Sequence, residues 1–205
     1  MATARSHRVF PAFWLAANTG KRRSELLGLR WGDVDLESSR LGVNRSLVSV
    51  AYELHDSPGK TRSSRRSVDL DARTVEVLRA WRHERRAEAG RPIGEEDRVV
   101  AHPDGEPIHP DSFSQTFNRL VASAGVPRLW LHGLRHTHAS LMLKERVPIR
   151  VVSERLGHAT PGFTMATYQH VLPGMQADAA RLFAGLITST GFNSVQGSVE
   201  GLSAP

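Results

Sequence analysis

Apolar residues recur along much of this sequence at the three- and four-residue spacing of amphipathic helices. Val75, Leu78 and Trp81, for example, share one face of a helix predicted over 71–89. The pattern predicts a mostly helical chain, with a bend near Pro11 in the first helix. The predicted helices cover 6–18, 22–31, 71–89, 111–124, 133–146, 148–156 and 174–187, with a further turn or helix at 162–169.

Three shorter segments have the composition of strands. Residues 41–54 and 66–70 are rich in β-branched side chains and bounded by turn residues, and the predicted turn HDSPGK separates them. Residues 99–101 form a short third strand in this interpretation. The sequence therefore predicts an α+β fold that is mostly helical and contains a small three-stranded antiparallel sheet.

Several residues mark the expected ends of helices. Asp71 is an expected N-cap, and Gly125 and Gly157 are expected to end the helices that precede them. From residue 188 onward the chain is rich in Gly, Ser and Thr and has no periodicity, which predicts disorder. We therefore expect one domain over 1–187 and a disordered tail over 188–205.

The composition narrows the class of protein. The chain has 205 residues, enough for one domain, and 40% of them are apolar. No apolar run approaches the roughly 18 residues of a membrane helix, and the N-terminus lacks the pattern of a secretory signal. Without cysteine there is no disulfide and no thiolate metal site. These features predict a cytoplasmic protein without a membrane partner.

The charge favours a polyanionic partner. The net charge is +6, and phosphates attract Arg and Lys, so nucleic acid is the first candidate. Arginine supplies nearly all of this charge, since lysine occurs only at Lys21, Lys60 and Lys144. Such a skew usually reflects coding composition. In such a chain, a lysine at a position where an arginine would be equally suitable is a candidate for a specific role.

The first segment that suggests chemistry is TGKRRSEL. Arg22 and Glu25 lie three residues apart at the expected start of a helix, so Glu25 is placed to hold Arg22. A helix start also favours anions. Taken alone, the segment is better explained as a solvated helix end with surface arginines.

The second segment is HGLRHTH. His132 and Arg135 are again three apart, and they combine a proton-transfer group with a planar fork of donors matched to phosphate. The spacing of His132 and His136 also suits a metal site. However, HExxH is absent, no carboxylate lies nearby and Arg135 would repel a cation. His136 and His138 are interpreted as packing or surface residues.

The third segment is Leu156-Gly157-His158, followed ten residues later by Tyr168. Gly157 is expected to end a helix and to turn His158 toward a site. An ordinary helix cap and a half-buried tyrosine explain the same residues. The chain has two tyrosines, Tyr52 and Tyr168, which narrows the candidates for a tyrosine nucleophile without deciding between them.

Together these motifs resemble the tyrosine recombinase (phage integrase) family. The shared order is TG-x-R-x-x-E-L, a lysine in a β-turn, H-x-L-R-H, L-G-H and then a tyrosine, as found here across residues 10–175. The flanking text LLGLRWGDVDL and the final ATYQHVLP are similar too. The resemblance implies the catalytic domain of a site-specific DNA recombinase that joins DNA through a 3′-phosphotyrosine, with no cofactor or metal.

The resemblance also implies a role for each matching residue. It makes Tyr168 the nucleophile, Glu25 a supporting acid and Lys60 the general acid for the leaving 5′-oxygen. Arg62 is an alternative to Lys60, and Arg23 competes with Arg22, although the TG-x-R spacing favours Arg22. The residues implied to act on the scissile phosphate or in proton transfer at the tyrosine are Arg22, His132, Arg135 and His158.

The implied partners are double-stranded DNA, three further copies of the chain in a tetramer on DNA, and accessory proteins that set direction. Relatives carry an N-terminal core-binding domain that is absent from this sequence, so we expect a fragment or a truncated product. A non-catalytic DNA-binding remnant of an integrase is therefore the principal alternative. A nicking-closing topoisomerase and a metallohydrolase are further alternatives.

Overall fold

The computed structural model describes residues 7–58, 65–168 and 180–185. The first of two units ends at Tyr168, and residues 180–185 are a helical part of the second unit. In the first unit the helices are α1 (Phe10–Thr19), α2 (Arg23–Leu27), α3 (Ala72–Ala89), α4 (Pro110–Ser123), α5 (Leu131–Lys144), α6 (Ile149–Leu156) and α7 (Pro161–Tyr168). The strands are β1 (Val34–Asp35), β2 (Arg40–Val43), β3 (Arg45–Val50), β4 (Glu53–Pro58) and β5 (Arg66–Asp69).

The predicted fold class is confirmed: the protein is a mostly helical α+β fold with small antiparallel sheets. The three-stranded sheet has the order β1-β2-β5, with Leu41 of β2 opposite Val34 on one side and Val68 on the other. Its third strand is β1 rather than the predicted 99–101. Residues 99–101 are apolar because they are buried in the core, and there they form only an isolated bridge from Ala101 to Pro107.

The single strand predicted over 41–54 is wrong. Asn44 separates β2 from β3, and its side-chain amide donates to Asp33 Oδ1 at 2.7 Å. β3 then forms a second, two-stranded sheet with β4. The connecting turn is at Ala51 and Tyr52, both at positive φ (50° and 68°), as a tight hairpin of this twist requires. The predicted turn HDSPGK is wrong for 55–58, which lie in β4.

Several helices begin or end at different residues from those predicted. Pro11 lies in the first turn of α1, where a missing N–H is tolerated, so it starts this helix rather than bending it. α2 ends at Leu27 instead of residue 31. At Gly28 a β-carbon would come within 2.9 Å of the backbone of Ser46 in β3, so this residue must be small where helix and strand meet.

Other boundaries are as predicted. Asp71 caps α3 by accepting the Thr74 N–H at 3.0 Å, and Gly157 ends α6 in the left-handed region at φ 67°. Of the helix predicted over 174–187, residues 180–185 are described and helical. The rest of that segment and the predicted tail at 188–205 lie outside the described residues. None of the helices in the described ranges has the length and apolar composition needed to cross a membrane.

The core centres on α1 and brings the ends of several helices together. Phe13 of α1 packs on Phe113 and Phe117 of α4, with ring centroids 4.8 and 5.2 Å apart. α1 also packs against α3 and α5, while α5 packs against α6 and α6 against α7. This packing places the end of α1, the start of α2 and the end of α6 beside α5. All the described candidate residues lie around that junction.

Candidate active site

The start of α2 holds Arg22 and Glu25 in a fixed arrangement. Gly20 ends α1 at φ 61°, which turns the chain so that Arg22 becomes the N-cap of α2. The Arg22 guanidinium donates to Glu25 Oε1 at 2.8 Å, and its backbone N–H donates to Oε2 at 3.0 Å. The pairing expected from their spacing is therefore present.

Glu25 has a second partner that the sequence analysis missed. Arg66 of β5 donates to both carboxylate oxygens, at 3.1 and 2.9 Å, and its Nε donates to the Arg155 carbonyl at 2.9 Å. Glu25 is only 5% exposed. Burial alone would raise the pKa of Glu25, but the hydrogen bonds and charges of Arg66 and Arg22 lower it to about 2. The carboxylate is therefore ionised throughout the physiological range.

Arg135 of α5 is buried, with 3% of its surface exposed, and it joins two loops. Its Nη1 donates to the Gly20 carbonyl at 2.7 Å and its Nη2 to the Leu156 carbonyl at 2.8 Å. Arg22 Nη2 donates to the next carbonyl, that of Gly157, at 3.2 Å. Burial and the charge of Arg22 lower the pKa of Arg135 to about 10, so it remains a cation at neutral pH. Two guanidinium groups thus converge at the end of α6.

His158 follows Gly157 and lies beside this pair of arginines. Its Nδ1 is 2.7 Å from Thr164 Oγ1 of α7, which leaves Nε2 for another partner. Burial and the positive charges of Arg135 and Arg22 lower the pKa of His158 to about 4. The ring is therefore neutral at neutral pH.

Tyr168, the last residue of α7, is 2% exposed. Its hydroxyl lies 3.0 Å from Nδ1 of His136, and the His136 ring meets that of His132 edge-to-face at 4.7 Å between centroids. Burial raises the pKa of Tyr168, while the charge of Arg135 acts in the opposite direction. His136 was interpreted as a packing or surface residue, so its contact with the tyrosine was missed.

Of the other candidate residues from the sequence, two are described by the structure and two are not. Lys60 and its alternative Arg62 lie outside the described residues. Arg23, the alternative to Arg22, points to α4, where its guanidinium donates to Ser114 Oγ at 2.8 Å. His138 packs as expected, with Nδ1 3.0 Å from the Ala17 carbonyl.

Lys21 is unusual because it is 4% exposed and its Nζ has no hydrogen-bond partner among the described residues. Burial, reinforced by the charge of Arg66, lowers the pKa of Lys21 well below 10.5. Three or more carboxylate or imidazole groups that could hold a metal ion do not come together in the described ranges. Arginines instead surround the carboxylate of Glu25, so the junction is suited to bind an anion.

Comparisons with known proteins show the family of the chain. The model of the phage integrase family matches residues 2–174. The chain is 31% identical over 190 residues to the tyrosine recombinase XerC-like protein of Caldanaerobacter subterraneus subsp. tengcongensis, covering 85% of this chain and 49% of that protein. It is 26% identical over 176 residues to the ICEBs1 integrase of Bacillus subtilis, covering 84% and 48%. The chain thus spans about half the length of the curated relatives it matches.

Solved structures share the fold. The Tn1549 transposon integrase in complex with transposon right end DNA superposes with a TM-score of 0.75 at 21% identity, covering 87% of this chain and 60% of that one. The XerA recombinase gives a TM-score of 0.68 at 23% identity, covering 89% and 59%. The family match spans most of the sequence and includes every candidate residue described above. The chain therefore belongs to the phage integrase family.

Proposed function

We propose that this chain is the catalytic domain of a site-specific DNA recombinase that cleaves and rejoins DNA strands through a 3′-phosphotyrosine at Tyr168. The observation that carries the proposal is the convergence of Arg22 and Arg135 at the end of α6, with His158 and Tyr168 beside them. The substrate class is supported by relatives named as a recombinase and an integrase, and by a structural neighbour solved in complex with DNA.

Arg22 and Arg135 would hold the scissile phosphate. In-line phosphoryl transfer spreads negative charge over the equatorial oxygens, and guanidinium forks can neutralise that charge through paired hydrogen bonds. Arg22 is already oriented by Glu25, and Arg135 by two carbonyls. These donors would therefore need little rearrangement when the phosphate binds. Neutral His158 would donate a further hydrogen bond to a phosphate oxygen.

Tyr168 would attack phosphorus, and the bond to the 5′-oxygen would break. Burial raises the pKa of the Tyr168 phenol, so this residue needs a proton acceptor and nearby positive charge to become a nucleophile. The leaving 5′-oxygen needs a proton donor, a role that we assign to Lys60 because a mobile ammonium suits it better than a rigid guanidinium. The phosphotyrosine conserves the energy of the broken bond, so the strand can be rejoined without ATP.

The assembled reaction would involve double-stranded DNA and a tetramer of this chain, with accessory proteins setting direction, in the cytoplasm. These partners follow from the resemblance to integrases rather than from contacts in the monomer. The net charge of +6 supports the binding of DNA, since each phosphate contact releases counterions.

The test is relaxation of supercoiled plasmid in excess EDTA, which requires no knowledge of the target site. Native chain should relax the plasmid and form a covalent protein–DNA complex that survives denaturation, and Tyr168→Phe should do neither. Tyr52→Phe is the matched control because Tyr52, the second tyrosine in the sequence, is 88% exposed on the hairpin turn. Relaxation that persists in Tyr168→Phe would exclude Tyr168 as the nucleophile. A native chain that binds DNA but never cleaves it would indicate a non-catalytic remnant.

A further inference from the structure

The partner of the Tyr168 hydroxyl in this structure is not the histidine that the family resemblance singles out. That resemblance assigns proton transfer to His132. In the structure, however, Nδ1 of His136 lies 3.0 Å from the Tyr168 hydroxyl. Among the described residues, the ring contact of His132 is with His136, at 4.7 Å between centroids, rather than with Tyr168. His136 therefore stands between the other two residues.

We propose that His136 accepts the phenolic proton of Tyr168 when the tyrosine attacks phosphorus. This inference rests on the proposed function. The Tyr168 O–H bond breaks and its proton passes to Nδ1 of His136. The electron pair of the oxygen forms the bond to phosphorus. The bond from phosphorus to the 5′-oxygen then breaks, and that oxygen takes a proton from the general acid, assigned above to Lys60.

The surroundings of His136 suit this step. The distance of 3.0 Å is that of a hydrogen bond, and a neutral ring with its hydrogen on Nε2 presents a lone pair at Nδ1. His136 is exposed, so a proton that it receives can pass to solvent. Tyr168 is buried, which leaves the neighbouring ring as the route by which its proton leaves.

Four other polar groups face the pair and define its electrostatics. His132 and Arg135 come from the same helix as His136, and His158 follows α6. Arg22, at the start of α2, acts on the His132 ring. The positive charge of Arg135 favours the phenolate of Tyr168. Arg135 and His136 are adjacent in sequence, so one turn of α5 supplies both the charge that stabilises the phenolate and the group that removes its proton.

A variant of His136 can distinguish a residue that only accepts a hydrogen bond from one that takes the proton of Tyr168. In His136→Asn the side-chain carbonyl can stand where Nδ1 stood, so it can still accept a hydrogen bond but cannot take a proton. We expect this variant to fold normally and to form the covalent DNA complex about 10²-fold or more slowly, the usual contribution of a general base. Imidazole added to His136→Ala should restore part of the rate. The control is His83→Asn, which replaces an exposed histidine of α3.

A second measurement needs no DNA. The chain has two tyrosines, so Tyr52→Phe leaves Tyr168 as the sole tyrosine signal when the ring is labelled with ¹³C at Cζ. At one fixed pH, His136→Asn replaces the acceptor of the Tyr168 hydroxyl, so the Cζ resonance of Tyr168 should move when this substitution is added to the Tyr52→Phe background. The resonance should move much less when His132→Asn is added instead, because the described ring contact of His132 is with His136.

Different results would overturn the role of His136 and the proposed recombinase function. A Tyr168 Cζ resonance that moves with His132→Asn and keeps its position with His136→Asn overturns the role of His136. Covalent complex formation by His136→Asn within threefold of the native rate overturns it as well, while leaving the recombinase proposal intact. A native chain that forms no covalent complex overturns the proposed function, and the role of His136 with it.

Discussion

Glu25 of α2 and Arg66 of β5 form a two-point ion pair, with Oε1–Nη1 and Oε2–Nη2 distances of 3.1 and 2.9 Å. Both side chains are almost fully buried. The same carboxylate holds Arg22, so the pair joins the sheet to the group that we propose binds phosphate. The orientation of Arg22 therefore depends on a strand that lies 41 residues further along the chain.

Replacing Glu25 with Gln should destabilise the protein and reduce DNA cleavage. Removing one partner of a buried ion pair leaves Arg66 uncompensated, a change that typically costs about 3–5 kcal/mol. The free energy of unfolding in urea measures this effect. Glu76→Gln is the control, because Glu76 forms an exposed pair with Arg73, and such pairs contribute about 0–1 kcal/mol. Equal losses in the two variants would contradict this assignment.

The same carboxylate predicts a pH dependence of stability. Its pKa is lowered from 4.5 to about 2 in the folded state. A lowered carboxyl pKa stabilises the fold fully above the unfolded value, and that contribution is lost as pH falls from about 4.5 toward 2. The expected loss is about 3 kcal/mol. Urea titrations between pH 6 and pH 2 should show it in the native chain. The corresponding slope should be smaller in Glu25→Gln, and an unchanged slope would count against the prediction.

Arg135→Lys should lower the rate of plasmid relaxation by about 10²–10³, the usual effect of losing one donor to a developing oxyanion. Arg135 donates through two separate nitrogens to the carbonyls of Gly20 and Leu156. A single ammonium cannot reproduce this planar fork. Arg150→Lys is the control, since Arg150 is exposed and pairs with Glu154 one turn away. A rate for Arg135→Lys equal to that of the control would remove Arg135 from the phosphate site.

Lys21→Met should stabilise the protein. Nζ of Lys21 is buried without a hydrogen-bond partner among the described residues, and an unsatisfied buried polar group costs about 1–3 kcal/mol. Because the pKa of Lys21 is lowered on folding, the unfolded chain binds more protons below pH 10.5. The native chain therefore gains stability as pH rises toward that value, and the advantage of Lys21→Met should shrink. Lys144→Met, at an exposed position of α5, should change stability little at any pH.

Local spacing predicted the parts of the site that lie within one turn of a helix. The Arg22–Glu25 pair and the Gly157 cap follow from such spacing. The Glu25–Arg66 and His136–Tyr168 contacts do not, because their partners are 41 and 32 residues apart and meet only when the elements pack. The turn at Ala51 and Tyr52 was missed for another reason: neither residue is the Gly or Asn that signals positive φ.

Arginines outnumber carboxylates around Glu25, so the junction carries unbalanced positive charge. Arg22 and Arg66 each contribute to the lowered pKa values of Arg135 and His158, which reflects this mutual repulsion. An anion bound there would relieve it, and a ligand that binds the folded state stabilises that state. In the proposed reaction the DNA phosphate would thus also neutralise part of the charge of these arginines. Inorganic phosphate and sulfate should compete with DNA more strongly than chloride at equal ionic strength. The buffer anion should therefore affect both the measured DNA affinity and the measured stability of this protein.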